Sequence, residues 1–334
     1  MRTTSQLTRR SLLAGGSLLV GGLLLDGCAN DRAGSSPSES ADQTWTFVDD
    51  RKQTITLPAR PDTLVAFSTA TAALAELGIK PAGIFTWHPI KDDTQLRFAD
   101  VTGMEVIGET YGELNLELLS KVAPQVIITS YDSTDNTLYG ISEEQRAKVE
   151  AIAPVLGLDN TAPLLTQFDR FQELGRALGG DLGSVDLLEQ RQRFNDLSQQ
   201  IEAAAKEKPG LKIMAVADAV DGIMVAQPKP NPDLTYYGGL GLDFVVPKGD
   251  GIFWWQELAA EQIDTYPADV ILVDARDRDA TRASLEKLKL WPKLPAVRAG
   301  QVFDWHAYDP PTYKFYNDAL VDLLTAVQKS KVVS

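Results

Sequence analysis

Residues 184–208, SVDLLEQRQRFNDLSQQIEAAAKEK, decide how the rest of the chain is organised. These 25 residues contain neither Gly nor Pro and consist largely of strong helix formers. Leu187, Phe194, Leu197, Ile201 and Ala204 recur at steps of three, four or seven, which predicts a helix with one apolar stripe. Ser184 is positioned as its N-cap, and Pro209-Gly210 stops it. Such a helix is about 36 Å long, roughly the width of a small domain. It falls just past the middle of the chain with β/α-patterned sequence on both sides, as a spine between two lobes would.

A chain of 334 residues with 44% apolar content has room for two domains with their own cores. The formal charge is −14, and it becomes −16 without the first 27 residues, which hold Arg2, Arg9, Arg10 and Asp26. This acidity excludes nucleic-acid binding by phosphate neutralisation and repels anionic lipid surfaces. With one cysteine and two histidines, neither an internal disulfide nor a Cys/His-rich metal cage is expected.

The N-terminus reads as an address. TRRSLL at 8–13 is a twin-arginine pair leading into an apolar run that ends at residue 25, shorter than the roughly 20 residues needed to cross a bilayer. It closes on LDGC at 25–28, which puts the sole cysteine, Cys28, where a lipoprotein signal is cut and the thiol acylated. Asp26 is an unusual residue in such a box. ANDRAGSSPSESADQ at 29–43 is polar and aperiodic, a tether of about 20 Å r.m.s. reach. The expected organisation is a twin-arginine lipoprotein signal peptide at 1–27, a flexible tether at 28–43, an N-terminal α/β lobe at 44–183, the linker helix at 184–208 and a C-terminal α/β lobe at 209–334. The mature protein is thus expected on the outer face of the cell membrane, lipid-anchored.

Within the first lobe, 44–48 and 53–57 alternate about Asp49-Asp50 as a hairpin. Strands are expected at 64–67, 82–85, 126–129 and from 155, with helices at 71–77, 115–123 (Asn115 as N-cap) and 142–152. The second lobe reads as strands at 211–217, 223–226, 244–246, 270–273 and 301–303, with helices at 256–265 and 316–328. This alternation argues for parallel-type sheets covered on both faces. The halves also echo each other: LGI at 77–79 with LGL at 240–242, and LELL at 116–119 before Pro124 with AEQI at 260–263 before Pro267.

The sequence has no G-x-S-x-G, Walker loop or H-E-x-x-H, and its 238–241 glycine cluster lacks the third glycine of a dinucleotide fingerprint. Aromatic residues instead gather where strands should end: Trp87, Tyr111, Tyr131, Phe253-Trp254-Trp255, Trp305, Tyr308 and Tyr313. Ligands of open α/β sheets bind beyond the carboxyl ends of the strands, and rigid amphipathic rings there give large contact area at low entropic cost. Arg276 and Arg278 follow the 270–273 strand and are candidates to meet ligand oxygens. Glu117 and Glu261 each fall near a predicted helix start, where the dipole favours an acid; exposed on two lobes, the pair would also suit docking to basic sockets.

LDGC, the tether, the hairpin, AFS at 66–68 and LAELGIKPAG at 74–83 together resemble the opening of the substrate-binding proteins of ABC importers for iron-siderophores, haem and cobalamin. NLELLSKVAPQVII at 115–128 is similar to that family's signature, with Gln125 replacing its usual Asp, and LPAVRAGQV at 294–302 to its near-C-terminal motif. The resemblance spans about residues 45–328. It implies a class III periplasmic binding protein: two Rossmann-like α/β lobes with parallel-type central sheets, joined by one long α-helix, with the ligand in a shallow cleft between them. It further implies that Glu117 and Glu261 pair with arginines of a permease dimer. The expectation is a monomeric receptor, not an enzyme, that captures a ferric siderophore, hydroxamate types being favoured by the acidic charge. Iron would be held only through the siderophore, with no cofactor. The alternatives are a haem or cobalamin receptor, with Tyr111, His306 or Tyr313 as axial ligand for haem, and an exported enzyme on this scaffold.

Overall fold

A computed structural model describes residues 44–248 and 254–334. The signal peptide, Cys28, the tether and Phe253 lie outside the described residues.

The chain opens with the hairpin β1 (Trp45–Val48) and β2 (Thr54–Leu57), paired in register from Trp45–Leu57 to Val48–Thr54. Then follow β3 (Leu64–Phe67), α1 (Ser68–Glu76), β4 (Gly83–Phe85), β5 (Glu105–Gly108), α2 (Leu116–Val122), β6 (Val126–Asp132), β7 (Thr137–Leu138), α3 (Glu143–Ile152), β8 (Val155–Asp159) and α4 (Leu164–Leu178). Strands β5, β4, β3, β6 and β8 lie side by side and parallel, and β7 runs antiparallel to the end of β6. β3 and β4 are buried along their whole length, as continuous apolar strands covered on both faces must be.

The linker helix is α5 (Val185–Glu207), and the Ser184 hydroxyl caps it by accepting the Leu187 N–H. All five residues of the predicted stripe are buried. They join a core containing Leu77, Leu164 and Phe168 of the first lobe and Ile213, Trp305 and Leu320 of the second.

The second lobe contains β9 (Lys212–Ala219), β10 (Gly222–Ala226), α6 (Pro232–Gly239), β11 (Asp243–Phe244), β12 (Trp255–Ala259), β13 (Val270–Asp274), α7 (Arg278–Glu286), α8 (Pro295–Arg298), β14 (Val302–Trp305) and α9 (Tyr313–Lys329). Its sheet is mixed: β11, β9, β13 and β14 are parallel, whereas β10 runs antiparallel to both β9 and β12. The long helix between two α/β lobes is therefore present as expected.

One predicted element is wrong. Residues 256–265, rich in Gln, Glu, Leu and Ala, are not a helix. Trp255–Ala259 pairs with β10 and buries Trp255 and Leu258, and the segment after it consists of turns. Pairing along an exposed sheet edge overrides helix propensity here. Consequently Glu117 occupies the first turn of α2, but its expected counterpart Glu261 stands on a turn.

The echo between lobes survives elsewhere. Gly78 and Gly241 both follow a helix with positive φ, +75° and +97°. Gln125, immediately before β6, accepts the backbone N–H groups of Asp62 and Thr63 through its side-chain oxygen, at 2.8 and 3.0 Å. Asp269, immediately before β13, accepts the Lys212 N–H at 2.7 Å. The same peg thus fixes the start of the neighbouring strand in each lobe, and an amide serves in the first where a carboxylate serves in the second.

Candidate functional site

A cavity of about 990 Å³ opens between the lobes. Carboxyl ends of strands supply much of its wall. From the first lobe come Phe67 at the end of β3, Trp87 after β4, Tyr111 after β5, Tyr139 after β7 and Asn160 after β8. From the second come Trp254 and Trp255 at the start of β12, Arg276 after β13, Tyr308 after β14 and Asp233 in α6.

The aromatic residues form two walls. Trp87 stacks on Tyr111 (centroids 5.0 Å apart, planes at 19°) and meets Tyr139 edge-on at 5.3 Å. Phe67 backs Trp87 at 5.3 Å. Gly140 permits this packing: its φ is +73°, and a Cβ would lie 2.8 Å from the rings of Phe67 and Phe85. Opposite, Tyr308 meets Trp254 edge-on at 5.8 Å and lies under the Arg276 guanidinium, 4.6 Å from its centroid. Asp274 grips that guanidinium at Nε and Nη2. Burial opposes the Arg276 charge, but the Asp274 carboxylate outweighs it and raises the pKa further. Burial also raises the Tyr139 hydroxyl, up to about 12, and Tyr308 still higher, so both remain O–H donors at neutral pH.

Of the ten residues expected to meet ligand, Trp87, Tyr111, Trp254, Trp255, Arg276 and Tyr308 line the cavity. The other four do not, and element boundaries explain why. β6 runs on to Asp132, so Tyr131 is inside the strand, buried, its hydroxyl donating to Asn136 at 2.7 Å. β14 includes Trp305, whose buried indole N–H donates to Asp233 at 2.6 Å. α9 starts at Tyr313, whose ring packs between Phe168 and Phe194, at 4.8 and 5.6 Å. Arg278 begins α7 and pairs with Asp304 at 2.8 Å.

Sequence reading missed the polar lining: Tyr139, Asn160, Gln95 and six aspartates, at 92, 93, 159, 233, 277 and 309. Against these carboxylates the lining, among the described residues, sets only Arg276 and His88. Burial pushes Asp233 up to about 6 despite the Trp305 hydrogen bond. Asp309 is met by Arg97 of the opposite lobe in a two-pronged pair, 3.2 and 3.1 Å, and by His306 at 3.4 Å. His306 itself is engaged at both nitrogens, the second by Asp322 at 2.8 Å, and is absent from the lining. Among the described residues no group of three or more His, Cys, Asp or Glu is arranged to hold a metal ion, and no helix is long and apolar enough to cross a membrane.

Comparison with known proteins agrees with this geometry. The crystal structure of DesE, a ferric-siderophore receptor protein from Streptomyces coelicolor, superposes with a TM-score of 0.80 at 33% identity, over 87% of this chain and 100% of that one. The siderophore periplasmic binding protein from the fuscachelin gene cluster of Thermobifida fusca gives 0.61 at 25% identity, over 81% and 98%. The Fe(3+)-citrate-binding protein YfmC of Bacillus subtilis is 26% identical over 290 residues, 86% of each chain. Residues 65–308 match the family model described as periplasmic binding protein, and a match over most of both lobes means that this chain belongs to the periplasmic binding protein family.

Proposed function

We propose that the protein is the receptor of an iron-chelate importer, capturing a ferric siderophore between its lobes and presenting it to an ABC permease. Likeness to a ferric-siderophore receptor at 33% identity supports the iron chelate, and the family supports an extracytoplasmic receptor rather than an enzyme. The observation that carries the choice of chelate is the cleft's charge: among the described lining residues, five aspartates besides the Asp309 held by Arg97 and His306 stand against one arginine and one histidine. A like charge about 8 Å away at an effective dielectric of about 20 costs about 2 kcal/mol. Ferric citrate and ferric tricatecholates keep net negative charge, whereas three hydroxamates neutralise Fe(III) and an added amine makes the complex cationic. Hydroxamate types are therefore favoured. Iron arrives wrapped in its chelator, whose oxygens can accept from Arg276, Tyr139 and Tyr308 while its apolar arms lie on the indoles.

Likeness to the Fe(3+)-citrate-binding protein supports a second reading, a citrate complex bound through Arg276. Among the haem-ligand candidates, only Tyr111 lines the cleft.

The rest of the organisation is proposed with it. The twin-arginine segment exports the chain, and Cys28 carries the lipid that holds the two lobes, 44–183 and 209–334, at the outer membrane face. Glu117 and Glu261, both exposed, dock the permease.

Titrating the protein with ferrioxamine B, ferric citrate, a ferric tricatecholate, haem and cobalamin tests the reading through tryptophan fluorescence, because three of the six tryptophans line the cleft. Saturable quenching by ferrioxamine B at the lowest concentration is expected. Silence with every iron chelate would end the proposal.

A further inference from the structure

Gln95 has its amide bonded to both walls of the cleft at once. It sits in the short 3-10 turn Thr94–Leu96, is 7% exposed, and its backbone N–H is held by Asp93 Oδ1 at 2.9 Å. Its Oε1 accepts from the Trp87 indole N–H at 3.1 Å and the Ser68 hydroxyl at 3.3 Å, both of the first lobe. Its Nε2 donates to the Tyr308 carbonyl at 2.7 Å, in the second lobe. The orientation of the amide is fixed by chemistry, since a flip would set NH₂ against the indole N–H and an oxygen against a carbonyl.

The groups it joins are those that face the cavity. Trp87 leads the stack with Tyr111 and Tyr139, while Tyr308 carries Arg276 and abuts Trp254. Tyr308 has φ +58°, a left-handed conformation that a bulky residue holds only when its surroundings impose it. The Gln95 bond to its carbonyl is one such imposition. Two residues along the chain, Arg97 grips Asp309 beside it. That pair is longer and, on the arginine side, 29% exposed, so it can stretch and be screened; the buried amide cannot.

We propose that Gln95 is the specificity-determining positioning residue of the cleft, fixing the separation of the two aromatic walls and thereby the size of ferric chelate that fits. The inference rests on the reading of the cleft as an iron-chelate site. The walls are set before the chelate arrives, and selectivity lies partly in a residue that contacts them rather than in the contacts with iron's ligands. Replacing the amide by leucine keeps its bulk but leaves the half-buried Trp87 indole N–H and the Tyr308 carbonyl without this partner, which frees the walls to respace. Asparagine keeps the chemistry with one methylene less reach, so the walls must close toward each other or lose one bond.

The test compares native protein, Gln95→Leu and Gln95→Asn in fluorescence titrations with ferrioxamine B, the compact neutral trihydroxamate ferrichrome, and ferric citrate, with thermal unfolding alongside. For Gln95→Leu, affinity for the chelate that native protein binds most tightly should fall about tenfold, equivalent to about 1.4 kcal/mol. Affinity for the weakest should change by less than about twofold, so the selectivity ratio shifts about fivefold or more. Gln95→Asn should move preference toward the more compact chelate, and it carries the comparison alone if the leucine variant does not fold. A residue with a merely structural role would lower all affinities by a common factor with the melting temperature; unchanged ratios in a folded variant overturn the inference while leaving the receptor reading intact. Native protein that binds none of the chelates overturns both.

Discussion

Glu76, in the last turn of α1, caps α9 of the opposite lobe: its carboxylate accepts the Lys314 N–H at 2.9 Å and the neighbouring Tyr313 N–H at 3.1 Å. Burial raises its pKa from 4.5 to about 7, outweighing those two bonds and the Lys314 charge. The folded state therefore holds the proton more tightly than the unfolded chain. Stability from this group is complete below pH 4.5 and is lost as pH rises through about 7. Glu76→Gln, neutral throughout, should remove the loss of about 3 kcal/mol between pH 5 and 8 and flatten the profile, at a pH-independent cost because its NH₂ cannot accept the second backbone N–H. Urea unfolding at the two pH values measures it; profiles parallel to native would refute the assignment.

His306 works in the same pH direction from a different cause. Burial disfavours its charge, but Asp309 and Asp322 prevail and lift its pKa from 6.5 to about 9. Its contribution is complete below pH 6.5 and lost as pH rises through about 9. His306→Asn should cost about 3 kcal/mol at pH 6 and little at pH 10. A loss equal at both pH values would mean that packing, not charge, is what the ring supplies.

In the cleft, Trp87→Ala and Arg276→Ala should each weaken ferrioxamine B binding about tenfold or more, since one removes a stacked face and the other a charged donor. Thermal unfolding runs alongside, because Trp87→Ala also removes a ring packed on Phe67 and Tyr139, and Arg276→Ala leaves the buried Asp274 carboxylate unpaired. Titration and calorimetry of the two variants decide this. Equal affinity in both would move the binding surface elsewhere.

Periodicity made the frame readable: the α5 stripe, the capping of α2 by Asn115 through the Leu118 N–H, and β3 at residues 64–67 all follow from local pattern. What local pattern cannot express is which sheet edge recruits a segment, and residues 256–265 depart from their helical pattern for that reason. It also cannot tell an aromatic residue just past a strand from one just inside it. Trp87 and Tyr308 fall on one side of that line, Tyr131 and Trp305 on the other. Gln95 left no mark at all, because a lone glutamine in an irregular segment has meaning only once Trp87 and Tyr308 are brought within reach of it.

Among the described residues Glu117 makes no hydrogen bond or ion pair, so the dipole of α2 is its structural role. It is exposed in the first turn of α2, and Glu261 is exposed on the turn after β12. Glu117→Ala combined with Glu261→Ala should leave chelate affinity unchanged and reduce transport by membranes carrying the cognate permease at least about tenfold, since two charge-assisted contacts are lost. Transport at the native rate would refute docking through this pair; loss with the Glu117 change alone would assign the role to one lobe.

Linker helix α5 is bound to α9 along its length, which limits how far the lobes can turn. Lys314 reaches Asp186 near the start of α5 at 2.6 Å. Asn317 donates to the Gln190 carbonyl and side chain at 3.0 and 2.9 Å. Lys208 at the far end donates to the Ser330 carbonyl at 2.8 Å. Glu76, Gln95 and Arg97 then tie the first lobe to the same C-terminal region, from Tyr308 to Lys314. Hinge closure needs a few residues free to change φ and ψ, and a continuous helix so secured offers none. Distances between spin labels on the two lobes should therefore change by no more than about 2 Å on saturation with ferrioxamine B. A displacement of about 10 Å or more would mean that the polar ties break on binding and that the cleft closes by rotation after all.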